Sequence, residues 1–467
     1  MLKKNILYNF FYQFLIMFLP FITAPYLARI IGPEGLGIYS YSFSIASYFM
    51  FLSVLGLTNY GNRTIASVKH DRKKLSKVFS EIYCMQIVTS LFSIALYLIY
   101  IIFWAENQGV AILQLVLVSS AILDINWLFF GLEKFKITIV RNVFVKLATV
   151  ICIFLLVKAE NDVYKYILIM AIGAFLSQAI LWPFVKREVD FILPKLKDIL
   201  KHLKPNFMLF IPVISVSIYK IMDKIMLGQI SGMESVGYFE SAERIINVPV
   251  ALITAVGVVM LPKISSYLAV GKHKDAKKYF NLSMLVVLAF ANATAFGIAA
   301  ISDSFVEVFY GENFELTATT IKYLVVTIVF IAAGNVLRTQ LLIPEKKDSI
   351  YIKSAILGAV INFIVNVLLI PKYHTVGAAI GTIMAELVVC FYQFLAVKRE
   401  IKLTRFLLWE VLFIAVGIIM FTVIKVLPTI DNIYLDLLVK IIIGGSLYCI
   451  LGYYLIIKKF MSKASNS

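Results

Sequence analysis

Apolar runs of about twenty residues, the length that carries a helix across a bilayer, recur along this whole chain between short polar turns. They predict fourteen helices: 6–28, 38–60, 79–103, 110–130, 139–157, 164–185, 206–229, 236–261, 280–301, 320–342, 350–370, 376–397, 406–427 and 435–457. In hydrocarbon every backbone N–H and C=O needs a partner within its own segment, which a helix provides. The fold class is therefore an all-α polytopic membrane protein.

The pattern also repeats. Gly32–Tyr39 reads GPEGLGIY, and Gly232–Phe239 reads GMESVGYF. KHDRKKLSKVF (Lys69–Phe79) echoes GKHKDAKKYF (Gly271–Phe280), and GLEKFK (Gly131–Lys136) echoes IPEKKD (Ile343–Asp348). The chain is expected to hold two six-helix copies with the same orientation, parallel repeats about an axis along the membrane normal. The expected division is a first lobe at 1–187, a connector at 188–205, a second lobe at 206–399, and two added helices with a tail at 400–467.

Composition agrees: 61 % of the 467 residues are hydrophobic and 15 % charged, with mean hydropathy +0.90. Lys3 and Lys4 before the first apolar run resemble a secretion signal, but no small-residue cleavage site follows, so a retained first helix is expected. Cys84, Cys152, Cys390 and Cys449 all fall inside spans and read as small buried hydrophobes.

Charge sets direction. Thirty of the 44 Lys and Arg residues fall on one side of the fourteen-span map, and four (Arg29, Lys158, Lys165, Lys372) on the other. By the positive-inside rule the basic side, with both termini, is cytoplasmic. The net charge of +17 is then topology charge facing an anionic leaflet, and no nucleic-acid partner is expected.

Ionisable groups at membrane depth face cavities or pair with one another. Helix 7 carries Tyr219, Lys220, Asp223 and Lys224; helix 8 carries Gly237, Glu240, Glu243, Arg244 and Asn247. Their spacing places each set on one face, forming a polar wall. The alternative is an internal network with Asp223 on Lys224 and Glu240 on Arg244. Glu386 is the deepest lone acid of helix 12, a proton-site candidate, and Asp124 shares a face of helix 4 with Trp127. Ser354, Gly358, Asn362 and Asn366 form a stripe on helix 11 that reads as helix packing. Arg141, Lys146 and Lys353 are placed to snorkel. The four histidines sit in scattered loops without metal spacing, and no phosphate-cradling loop occurs. No enzyme is expected, and no cofactor beyond a coupling H⁺ or Na⁺.

LARIIGPEGLGIYSYSFSIASYF (Leu27–Phe49), LGLTNYGNRTIA (Leu55–Ala66), DINWLFFGLEKFK (Asp124–Lys136) and YKIMDKIMLGQISGMESVGYFESAERI (Tyr219–Ile245) resemble the polysaccharide transporter family. These are Wzx-type flippases of the multidrug/oligosaccharidyl-lipid/polysaccharide exporter superfamily. The resemblance implies two six-helix lobes in a V around a central cavity, in the bacterial cytoplasmic membrane. It implies a polyprenyl-diphosphate-linked oligosaccharide as cargo, with membrane lipids and glycan polymerase or export machinery as partners. Arg29, Lys220, Lys224, Arg244 and Asn247 would then hold the anionic cargo. Asp223, Glu240, Glu243, Glu386 and Asp124 would balance charge and bind the coupling ion. Rival readings are a cation-coupled drug exporter, a lipid II flippase, and a membrane glycan polymerase or ligase. The short outer loops count against the last.

Overall fold

The computed structural model describes residues 2–401 and 403–454, and side chains within them except at 2–18, 212, 213, 215, 216, 219 and 220. Every regular element among these residues is helical. The chain divides into two compact units, residues 1–217 and 218–467.

The first unit holds α1 (Leu2–Val54), α2 (Leu57–Val68), α3 (Arg72–Phe103), α4 (Gln108–Ser120), α5 (Asn126–Gly131), α6 (Phe135–Leu156), α7 (Val163–Ala179), α8 (Trp182–Val185) and the start of α9 (Leu196–Ser231). The rest of α9 opens the second unit. It continues with α10 (Met233–Ala269), α11 (His273–Phe309), α12 (Glu315–Leu337), α13 (Asp348–Ala396), α14 (Leu403–Val426) and α15 (Ile433–Gly452). In the first unit α1 packs on α3, α4 and α6; in the second, α12 packs against α10, α11 and α13.

Eleven helical stretches among the described residues are long and apolar enough to cross a bilayer, against the fourteen predicted spans. Two of them, Leu19–Val68 and Asp348–Ala396, contain a backbone break, at Gly32 and His374. Each covers two predicted spans. Other boundaries also shift. The predicted 38–60 helix breaks at Leu55, whose φ is 52°. The predicted 110–130 helix breaks between Ser120 and Asn126, where Gln86 Nε2 takes up the carbonyls of Ala121 and Asp124 at 2.7 and 2.8 Å. The expected connector is half helical, because α9 starts at Leu196.

Local chemistry sets several starts. Asp71 caps α3 by accepting from Lys73 N and Lys74 N, and Asn107 caps α4 by accepting from Val110 N. Such caps satisfy donors that a helix start leaves unpaired. All four cysteines are free, but only Cys390 is buried and Cys449 is exposed. The expectation of small buried hydrophobes holds for Cys390 alone.

Candidate functional site

The turn at Gly232 builds the charged cluster. Its φ of 87° and ψ of 169° reverse the chain between α9 and α10. Lys224 stands eight residues before Gly232 and Glu240 eight after it, so the two face each other across the hairpin. Lys224 Nζ is 2.5 Å from Glu240 Oε2 and 2.7 Å from Glu243 Oε2. Glu240 Oε1 also accepts from Arg244 Nε at 2.8 Å, one helical turn on. Two cations and two carboxylates thus form one half-buried network. The matching positions of the first hairpin are Ala24 and Ser40, both buried and uncharged.

Asp223 departs from the expectation. It does not join Lys224, its neighbour in sequence, but faces α13. Its Oδ1 accepts from Asn366 Nδ2 and its Oδ2 from Thr382 Oγ1 at 2.7 Å. Asn366 Nδ2 also lies 3.2 Å from Asn362 Oδ1. Asp223 is 2 % exposed, and Asn362 and Asn366 are fully buried. The Asn stripe expected to be helix packing therefore reaches the one fully sequestered carboxylate of α9. Asn366 Oδ1 and Asn362 Nδ2 have no partner. Gly381 makes room for the Asn366 amide, which a Cβ at that position would strike.

A cavity of about 240 Å³ opens beside this cluster, wholly within the second unit. Its polar lining includes Asp223, Glu243, Asn247, Asn335, Arg338 and Glu386. Three carboxylates and one guanidinium line it, and Glu243 among them is already paired with Lys224. Among the described residues no group of three His, Cys, Asp or Glu could hold a metal ion.

The second unit therefore brings together Asp223, Lys224, Glu240, Glu243, Arg244, Asn247 and Glu386. Lys220 lies on α9, and its side chain is outside the described residues. Arg29 and Asp124 belong to the first unit. Arg29 is exposed on α1. Asp124 sits at the break after α4, where its Oδ1 accepts from Asn126 N and Nδ2. Asn126 in turn accepts from Arg141 Nη2 at 2.8 Å. Arg141 does not snorkel: it is 5 % exposed and also donates to Ser177 O and Gln178 Oε1.

Sequence reading also passed over His202. Its Nδ1 lies 2.6 Å from Tyr60 Oη and its Nε2 3.0 Å from Glu81 Oε2, all three side chains being buried. Lys201 Nζ is 2.8 Å from the same Glu81 oxygen. Burial pushes the His202 imidazole below its usual value, against the pull of Glu81. Its signal in the sequence was its place at the start of α9, one turn before Asn206, and no periodicity reveals the two partners.

Membrane-length helices around a charged cavity are the arrangement found in membrane transporters, since ionisable residues at that depth line pathways and binding sites. The fold is shared with solved transporters. The lipid II flippase MurJ, in its inward closed conformation, superposes with a TM-score of 0.70 at 18 % identity, over 94 % of this chain and 99 % of that one. An outward-facing multidrug resistance transporter of the MATE family gives 0.54 at 14 % identity, over 87 % and 93 %. In sequence, a proposed O-antigen transporter of Shigella dysenteriae is 25 % identical over 406 residues, 85 % of this chain and 100 % of the relative. The MatE family matches residues 209–368. The pattern of the polysaccharide biosynthesis protein family matches residues 2–268, more than half of the chain, and the chain belongs to that family.

Proposed function

We propose that the protein is a flippase, not an enzyme, that moves a polyprenyl-diphosphate-linked oligosaccharide from the inner to the outer leaflet of the bacterial cytoplasmic membrane. Family membership and the O-antigen relative support this cargo class. The observation that carries the mechanism is the α9–α10 cluster, in which Lys224 and Arg244 are held at membrane depth by Glu240 and Glu243. A diphosphate approaching this wall competes with the two glutamates for the same cations. The displaced glutamates then take up a coupling H⁺ or Na⁺, with Asp223, held by Asn366 and Thr382, as a second proposed seat and Glu386 as an accessory acid. Lys220, Arg29 and Asn247 are the further residues proposed to contact cargo. Both termini lie in the cytoplasm.

The decisive experiment is deletion, followed by identification of the lipid-linked intermediate that builds up on the inner leaflet. Accumulation of an undecorated repeat unit supports the proposal. Loss of viability with accumulation of lipid II favours the peptidoglycan precursor as cargo, and new sensitivity to cationic dyes favours drug export. Single cysteines at Lys73 and Glu312, in a background without the four native ones, should label from opposite sides of the membrane. Labelling of both from outside overturns the orientation.

A further inference from the structure

Helices α14 and α15 follow the two copies read from the sequence and match neither, yet they carry a carboxyl of their own. Glu410 stands seven residues into α14, roughly 10 Å along its axis at about 1.5 Å per residue. It is half-buried within a stretch, Leu403–Val426, long and apolar enough to span a bilayer. Its hydrogen-bond partner is a neutral amide. Asn292 Nδ2 of α11 donates to both carboxyl oxygens, at 3.0 and 3.2 Å. The same nitrogen lies 3.0 Å from Leu288 O, which fixes the orientation of the amide.

Among the described residues no Lys, Arg or His stands against this carboxyl. The titratable groups that face it are Cys390 of α13, with Glu386 one turn away, and Tyr448 of α15, with Cys449 beside it. None of these carries positive charge at any pH. Two further polar atoms of this interface, Asn292 Oδ1 and Tyr448 Oη, are buried without a partner, on residues 0 % and 4 % exposed. An ionised acid here has one neutral donor and no counter-charge, a costly arrangement within a membrane span. Taking up one proton cancels the charge and turns one carboxyl oxygen into a hydrogen-bond donor.

We infer that Glu410, with Asn292 and Tyr448, forms a proton-binding site at the junction of α11, α14 and α15, separate from the Asp223 cavity. Its ligand is H⁺ alone, bound as a carboxylate becomes a carboxylic acid. The site ties the seating of α14 on α11 to proton uptake, whatever cargo the protein moves. Infrared difference spectra of the purified protein and its Glu410→Gln variant at neutral pH test this. The expected difference is loss of one protonated-carboxyl C=O band; loss of carboxylate bands instead overturns the inference. Should the variant not fold, an apolar carbodiimide, which adds to carboxylic acids and not to carboxylates, is applied to the unmodified protein. Its adduct on Glu410, mapped by peptide mass spectrometry, should fall about tenfold per pH unit above the midpoint of the site. An adduct yield that is flat with pH, or nil throughout, overturns the site equally.

Discussion

Gly32 and Gly232, 200 positions apart, adopt the same backbone conformation: φ/ψ of 67°/−178° and 87°/169°. This region is open to glycine almost alone, and other residues held there lose about 1–3 kcal/mol. A Cβ at either position would meet nothing within 4 Å, so the strain is purely conformational. Gly32→Ala and Gly232→Ala should each lower the thermal midpoint in detergent, by similar amounts. An unchanged midpoint for either would show that its hairpin relaxes freely.

Lys224 is caught between two carboxylates, and removing one partner of a buried ion pair costs about 3–5 kcal/mol. Glu240→Gln and Lys224→Met should therefore each destabilise strongly. Glu243→Gln should be milder, since Glu243 is more exposed and Lys224 keeps Glu240. The Lys224→Met/Glu240→Gln double variant should lose less than the sum of the two. If the cations hold cargo, export stays lost in the double variant although its loss of stability is less than additive. Export restored along with stability would mark the network as packing alone.

Asp223→Asn keeps the shape of the buried site and removes its charge. Flipping in proteoliposomes by this variant should proceed at the same rate with and without a Na⁺ or H⁺ gradient, whereas the parent protein accelerates. Gly381→Ala tests the same site through packing. Its methyl must displace the Asn366 amide from Asp223, at about 1–3 kcal/mol of overpacking. Normal gradient response in Asp223→Asn would remove this carboxylate from the coupling step.

Burial lowers the folded-state pKa of His202, so the folded protein binds fewer protons there than the unfolded chain. Stability from this group is complete above the unfolded value, near pH 6.5, and is lost as pH falls below it. Acidification below that value should therefore reduce the thermal midpoint. His202→Gln should flatten this part of the profile. An identical acid slope in the variant would assign it to other groups.

A diphosphate cargo carries about two negative charges, and outward movement of two charges at 100 mV, interior negative, gains about 4.6 kcal/mol. If the cations of the α9–α10 wall neutralise the cargo in transit, the empty return step carries the charge instead, and the full cycle moves the same total. Flipping should accelerate when the destination side is made positive. A rate flat from zero to about 100 mV, without ion gradients, would show that charge movement does not limit the cycle.

The helical class, the membrane setting and the α9–α10 hairpin were legible in the chain, because hydropathy and the GMESVG turn are local properties. A twenty-residue apolar run forms a helix in a bilayer whatever surrounds it. The i,i+4 pair Glu240–Arg244 was legible for the same reason. What Asp223 touches was not. Adjacent residues on a helix point about 100° apart, so Lys224 meets α10 while Asp223 meets α13, 143 and 159 residues away at Asn366 and Thr382. The burial of Arg141, the Tyr60–His202–Glu81 contacts and the Asn292–Glu410 contact are likewise long-range. Each depends on which helices become neighbours, and packing decides that, because a lone polar residue in an apolar helix carries no mark of its partner.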